Sequence, residues 1–346
     1  MSTPEWAGPG GAGRKWAGRE ETGREEAAPE WAAPALAAML GRVAAVRAEV
    51  GERFPLFADP ADGRWTTTRR GSWTGGFWAG LLWLRARHTG EASDRQAAAA
   101  CTARLADWVD TDTAARGLIL WYGTVLADDE AARRLRDRAA HACLKAFDPE
   151  LGLVPWGSAF GGPRLVARPD AVPGMVPLLA VADAEAAESH LWTHLELCRG
   201  NGAMRHDPST GWVAHPDPTP GWSRGRAWLL LAVAEAAGRL DAAELRDLTG
   251  ELTHPLPVPP ADDADPDGPL DTSAAAITAV ALLELGRRQE AVAVLEELVR
   301  VHLAEDGGLR EGCYDRVQGV AVRNELVWGD YFLAVGLAEL TGLVTR

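Results

Sequence analysis

Two stretches of this chain form helices with no polar face. Residues 227–238 read AWLLLAVAEAAG and residues 272–286 read TSAAAITAVALLELG. Both are built of helix formers and present apolar side chains all round the axis, so each has to be covered on more than one side. Other stretches are amphipathic, such as 34–50 (PALAAMLGRVAAVRAEV) and 130–147 (EAARRLRDRAAHACLKAF). These can cover a buried helix with one face and meet water with the other. About a dozen helical segments follow one another, separated by loops rich in Gly, Pro and Asp. One of them is expected over 114–127 (AARGLILWYGTVLA), and the only ribbon-like stretches are 152–157 and 211–217. No period of about 34–45 residues recurs, which argues against an open solenoid. The pattern predicts an all-α protein of two concentric helical layers, with a pocket formed by the loops at one end. A single domain is expected over 31–346, and the polar, Gly/Pro/Glu-rich residues 1–30 read as a flexible or loosely docked arm.

Composition narrows the function. Lys plus Arg number 35 and Asp plus Glu 49, a net charge of −14, so there is no general basic field for nucleic acid. No run approaches the roughly 18 apolar residues of a membrane helix. The N-terminus lacks the apolar stretch of a signal peptide, which points to the cytoplasm. Four cysteines stand far apart and without a CxxC pair, and read as buried thiols. Oligomeric state is left open by the sequence.

Tryptophan is the unusual component: 15 residues against 3 Tyr and 6 Phe. Trp73, Trp78, Trp156, Trp212, Trp222, Trp228 and Trp328 sit at loops or helix starts, mostly beside Gly, Ser, Pro or Asp. A single such ring is as well explained as a plug in a helical core. The set together suits stacking on the CH face of a sugar.

Five segments then carry a resemblance. WTGGFWAGLLWLRARHTGE (73–91), RPDAVPGMVPLLAVA (168–182), PGWSRGRAWLLLAVAEAAG (220–238), LDTSAAAITAVALLELG (270–286) and NELVWGDYFLAVGLAEL (324–340) occur in the order of the corresponding motifs of bacterial unsaturated glucuronyl hydrolases. The chain resembles that group, family 88 of the glycoside hydrolases, and more distantly the unsaturated rhamnogalacturonyl hydrolases. The resemblance implies an (α/α)6 barrel, an oligosaccharide substrate ending in a 4,5-unsaturated uronic acid, and a reaction that needs no cofactor or metal. In it an acid protonates C4 of the enol ether and water adds at C5, so the glycosidic bond is lost by hydration and not by direct displacement.

The same resemblance implies the site. Asp170 matches the catalytic acid/base, although an aspartate just before a helix is also a common N-cap. The second carboxylate belongs to a His-Asp-Leu-Gly-Phe-like segment, for which 109–123 is the counterpart. Asp112 is the candidate there and Asp110 an alternative, with Thr111 in place of the His. Arg224 matches an arginine suited to a sugar carboxylate, and Trp228, four residues on, shares its helix face. Arg226 points elsewhere. Trp78, Trp156 and Trp228 are expected as aromatic walls, with Trp222 as a further substrate-binding residue. His206 and His215 bracket the loop where the family has a binding His and Gln, and each fits a solvated loop equally well. Tyr314 matches a family Tyr, and Asp315 stands where a His is usual. The acidic loop PPADDADPDGP (259–269) reads as solvated. The departures leave two alternatives: a diverged enzyme on the same scaffold acting on a small specialised metabolite, or an inactive sugar-binding protein.

Overall fold

The computed structural model describes residues 27–237 and 242–345. Residues 1–26, most of the expected N-terminal arm, lie outside the described residues.

Helices dominate, and they alternate in character as the sequence pattern predicts. The amphipathic ones are α1 (Ala32–Val50), α3 (Ala92–Ala103), α4 (Glu130–Ala146), α6 (Ala184–Cys198), α8 (Ala242–Leu252) and α10 (Arg288–Glu297). Helix α4 shows the logic. Leu135, Ala139 and Ala140 are buried at helical spacing while its arginines meet water. The helices buried along most of their length are α2 (Gly75–Thr89), α5 (Met175–Ala182), α7 (Ser223–Glu235), α9 (Thr272–Glu284) and α11 (Val327–Leu340). A short π-helical turn, Gly117–Trp121, belongs with them. In sequence order each of these six touches the next, and α11 returns to α2. The amphipathic helices lean on that ring from outside: α1 on α11 and α2, α3 on α2, α4 on α5, α6 on α5 and α7, α8 on α7, and α10 on α9 and α11.

Local chemistry sets several boundaries. Helix α2 ends at Gly90, whose φ of 70° is the left-handed C-terminal cap that glycine adopts without strain. Asp129, Asp183 and Asp271 cap α4, α6 and α9 by accepting backbone N–H groups of the first turn.

Two features depart from the sequence expectation. The helix expected over 114–127 shrinks to Gly117–Trp121. A Cβ on Gly117 would stand 2.3 Å from the Met175 backbone nitrogen, so this segment is pressed directly against the start of α5. The chain is also not purely helical. One antiparallel sheet has the order β2 (Trp65–Thr68), β1 (Phe54–Ala58), β7 (Val320–Leu326), β6 (Gly312–Asp315), and a second has β3 (Val166–Ala167), β4 (Met204–Asp207), β5 (Gly211–Ala214). Of the two expected ribbons, 211–217 contains β5, whereas 152–157 makes only isolated bridges at Leu153 and Gly157. The β6–β7 turn of the first sheet and the segments that follow β3 and β5 of the second border the same cavity. No described helix is long and apolar enough to cross a membrane. Cys101, Cys143, Cys198 and Cys313 are free, buried thiols.

Candidate active site

A cavity of about 450 Å³ opens among the loops that precede α2, α5 and α7 and the β6–β7 hairpin. Aromatic rings form much of its wall: Trp73, Trp156, Phe160, Trp222, Trp228 and Tyr314. Trp73 sits in the 3₁₀ turn Ser72–Thr74, with its indole N–H pointing to the Tyr314 hydroxyl at 3.3 Å. Trp222 and Trp228 flank the first turns of α7. Polar groups interrupt the wall, notably Arg168, Asp170, His215, Asp217, Asp262 and Arg316.

Asp170 lies in the 3₁₀ turn Pro169–Ala171, directly after β3. It caps no helix: α5 begins five residues later behind Gly174. Its carboxylate instead takes two donors of Arg168, Nε at 3.0 Å and Nη2 at 3.4 Å. Arg168 also reaches Asp217 at 3.4 Å, and its guanidinium lies 4.6 Å from the centre of the Trp156 ring. Burial is the strongest influence on Arg168 and works against its charge, but Asp170 and Asp217 together outweigh it and hold its pKa above the ordinary value.

Behind Asp170 two histidines are fully buried. His190 Nδ1 accepts the Val154 N–H at 3.1 Å and its Nε2 faces the Ala171 carbonyl at 3.2 Å, so one ring joins the segment before Trp156 to the turn that carries Asp170. Burial, followed by the neighbouring His194, pushes the pKa of His190 well down, and burial lowers that of His194 to about 4.

The expected residues divide. Asp170, Trp156, Trp222, Arg224, Trp228, His215 and Tyr314 all line the cavity. Trp78 does not. It is 4% exposed on a buried helix, packed near Trp65 and Leu81. Because residues 73–84 carry no charged side chain, pattern alone could not tell a core ring such as Trp78 from a cavity ring such as Trp73, which stands just before the helix. His206 lies on β4 with its ring edge-on to Trp212 at 5.1 Å, away from the cavity lining.

Asp112 is also outside the lining. Its carboxylate accepts the Ser158 N–H at 3.1 Å, the Ser158 hydroxyl at 3.0 Å and Arg164 Nε at 3.1 Å. Burial opposes its charge, but Arg164 and Ser158 hold its pKa below the usual range. Asp112 therefore anchors the loop that carries Trp156 and Phe160. Gly117 suggests why. If the glycine of the expected His-Asp-Leu-Gly-Phe segment is set on Gly117, where close approach to Met175 demands glycine, the carboxylate position falls on the buried Ala115.

Arg224 faces the cavity, but both of its Nη groups are taken, and its Nε is buried without a hydrogen-bond partner. Nη1 bonds Asp271 and the Cys313 carbonyl, and Nη2 bonds the Tyr314 carbonyl at 2.8 Å. Its side chain is 3% exposed and that of Asp271 0%. The guanidinium staples β6 to the start of α9 and lies flat between Trp222 and Trp328, 4.9 and 5.4 Å from their ring centres. Arg226 points away, to Asp263.

Phe160, Arg168, Asp217, Asp262 and Arg316 line the cavity and escaped the sequence reading, while Trp73 was grouped with the loop tryptophans but given no place in the site. Trp73 was signalled by its loop position, and Arg168 by its place two residues before Asp170. Asp262 corrects the reading of 259–269 as a solvated loop. It is 5% exposed, takes the Thr219 hydroxyl at 2.8 Å, and pairs with Arg316 at 3.1 Å. Nothing in the local sequence distinguishes it from its acidic neighbours.

Fold and site together place an aromatic-walled cavity around a half-buried carboxyl group on a largely helical scaffold. No protein-family model matches the chain. The unsaturated glucuronyl hydrolase of Bacillus sp. (strain GL1) is 28% identical over a 364-residue alignment that covers 88% of this chain and 96% of that protein. A solved unsaturated glucuronyl hydrolase variant with the sugar dGlcA-Glc-Rha-Glc is 25% identical, with a TM-score of 0.77 over 88% of this chain and 96% of its own. A heparin-specific unsaturated glucuronyl hydrolase shares the fold at 20% identity, with a TM-score of 0.78 over 90% of this chain and 97% of its own. The chain is a divergent relative of the unsaturated glucuronyl hydrolases.

Proposed function

We propose that this chain is a glycoside hydrolase that hydrates the C4=C5 enol ether of an unsaturated uronic acid at the end of an oligosaccharide. The six buried helices and their six outer partners form the (α/α)6 barrel that holds the site, within one domain over 31–346. One observation carries the reading: Asp170, the residue matching the family's acid/base, stands in the wall of an aromatic cavity of sugar size.

The chemistry assigns each group a task. Asp170 delivers a proton to C4, and the double-bond electrons form the new C4–H bond. Positive charge is left shared between C5 and the ring oxygen. Water adds to C5 and returns a proton to Asp170. The hemiketal then opens to a C5 ketone, C1 becomes a hemiacetal, and its collapse releases the remaining sugar. Trp156, Trp222 and Trp228 offer apolar faces to the ring. Asp112 supports the site through the 156–164 loop. Incubation with unsaturated chondroitin or heparin disaccharides tests the reading. The enol-ether absorbance is expected to disappear with the natural chain and to persist with Asp170→Asn, and equal loss with both sinks the assignment.

One observation favours a second reading. The expected second carboxylate lies outside the cavity, which fits a diverged enzyme acting on a different small molecule. That reading expects no turnover of lyase disaccharides together with Asp170-dependent turnover of another enol ether.

A further inference from the structure

An anionic sugar meets an unfavourable field here. The chain carries a net charge of −14, and Asp170, Asp217, Asp262 and Asp315 all line the cavity. Its carboxylate needs a local cation with donors that can be released. Among the described residues, the arginines lining the cavity are Arg168, Arg224 and Arg316.

They differ in what release would leave behind. Freeing Arg224 strands Asp271, whose side chain is 0% exposed, and unpins the carbonyls of Cys313 and Tyr314. Freeing Arg316 strands Asp262, 6% exposed at the side chain. Freeing Arg168 leaves Asp170, 17% exposed and open to the cavity, and Asp217, 74% exposed. The Trp156 face meanwhile holds the plane of the guanidinium.

We infer that Arg168 is the residue that selects an anionic substrate, by exchanging Asp170 for the substrate carboxylate. The inference rests on the proposed hydration reaction and deepens it. In the resting cavity the guanidinium fork is filled by the Asp170 carboxylate. An incoming uronate offers the same planar pair of oxygens and takes the same donors. Asp170 is then released from the two guanidinium donors that hold its carboxyl oxygens in the resting cavity. It takes a proton from solvent and passes it to C4, while the water that adds to C5 restores it. When product leaves, Asp170 returns to Arg168 and gives its proton back to solvent. Binding of the correct charge thus arms the acid, and a neutral analogue leaves it chelated.

The test compares an unsaturated disaccharide with its uronate methyl ester, in the natural chain and in Arg168→Gln. The natural chain is expected to favour the acid. In Arg168→Gln the KM for the acid should rise about 10- to 100-fold, the loss of a charge-assisted pair. Turnover of the ester should increase, because Asp170 is no longer held. A merely structural role for Arg168 would lower turnover of both substrates. If Arg168→Gln does not fold, Arg168→Lys carries the KM arm of the test, since it keeps the charge without the fork and should still raise the KM for the acid. Acid preference that survives in the variant, or that is lost in Arg316→Gln instead, overturns the inference and leaves the hydration reading standing. Calorimetry separates the two further. Arg168-dependent binding of the acid without turnover supports the inference and removes the reaction, whereas a natural chain that binds acid and ester equally overturns the inference.

Discussion

Two arginine–aspartate pairs border the same cavity and have different work. Arg224 and Asp271 are 3% and 0% exposed at their side chains, while Arg168 and Asp170 are each 17% exposed. In the first pair both charges are locked by further backbone bonds: Asp271 caps α9 and Arg224 holds two carbonyls of β6. Breaking it leaves a charge in the core, so the pair serves the architecture. In the second pair the carboxylate has no backbone duty and faces open space. The same two residue types become a staple when dry and a removable latch when half wet.

Substitutions can break that contrast. Asp170→Asn is expected to cost most in rate, about 10²- to 10⁴-fold in kcat, the range for loss of a general acid. Its melting temperature should stay close to that of the natural chain. Asp271→Ala should behave in the opposite way and destabilise the fold by about 3–5 kcal/mol by leaving Arg224 buried and unpaired. Denaturant titration of both variants reads the comparison directly. Gly117→Ala should cost about 1–3 kcal/mol, since its Cβ meets the backbone of Met175 and cannot be relieved by a side-chain rotation. Trp156→Ala should raise the KM roughly tenfold by removing both a ring wall and the face that holds Arg168.

The smallest effect is a pH dependence. The folded pKa of His194 is depressed from 6.5 to about 4, and that of His190 is also well down. The unfolded chain therefore binds more protons than the native one below pH about 6.5. Stability contributed by these neutral rings is present above that pH and is lost as pH falls toward about 4. His194→Gln should flatten the slope of stability against pH in that window.

Much of the scaffold is legible in the sequence. Helices apolar all round had to be internal, and amphipathic ones had to cover them. The short strands were not legible. Phe54–Ala58 and Gly312–Asp315 are too brief to show a period, and the sheet that holds both is closed by a pairing between distant parts of the chain, Phe57 with Leu326. The site was half legible. Asp170 and Trp228 could be read because motif residues flank them. Trp73 and Trp78 could not be sorted, since one precedes α2 and the other sits inside it, in a segment without a polar face. The true role of Arg224 was hidden because its partner, Asp271, lies 47 residues on. A matching arginine reads the same in sequence whether its donors are free or filled.

The central claim is that the cavity breaks the glycosidic bond by hydrating the ring double bond. A time course that records enol-ether absorbance and release of the second sugar together tests it most directly. Hydration predicts that both proceed in step from the first turnover and that both stop in Asp170→Asn. Direct displacement at C1 would release the second sugar first, with the double bond still absorbing, and that order would contradict the account.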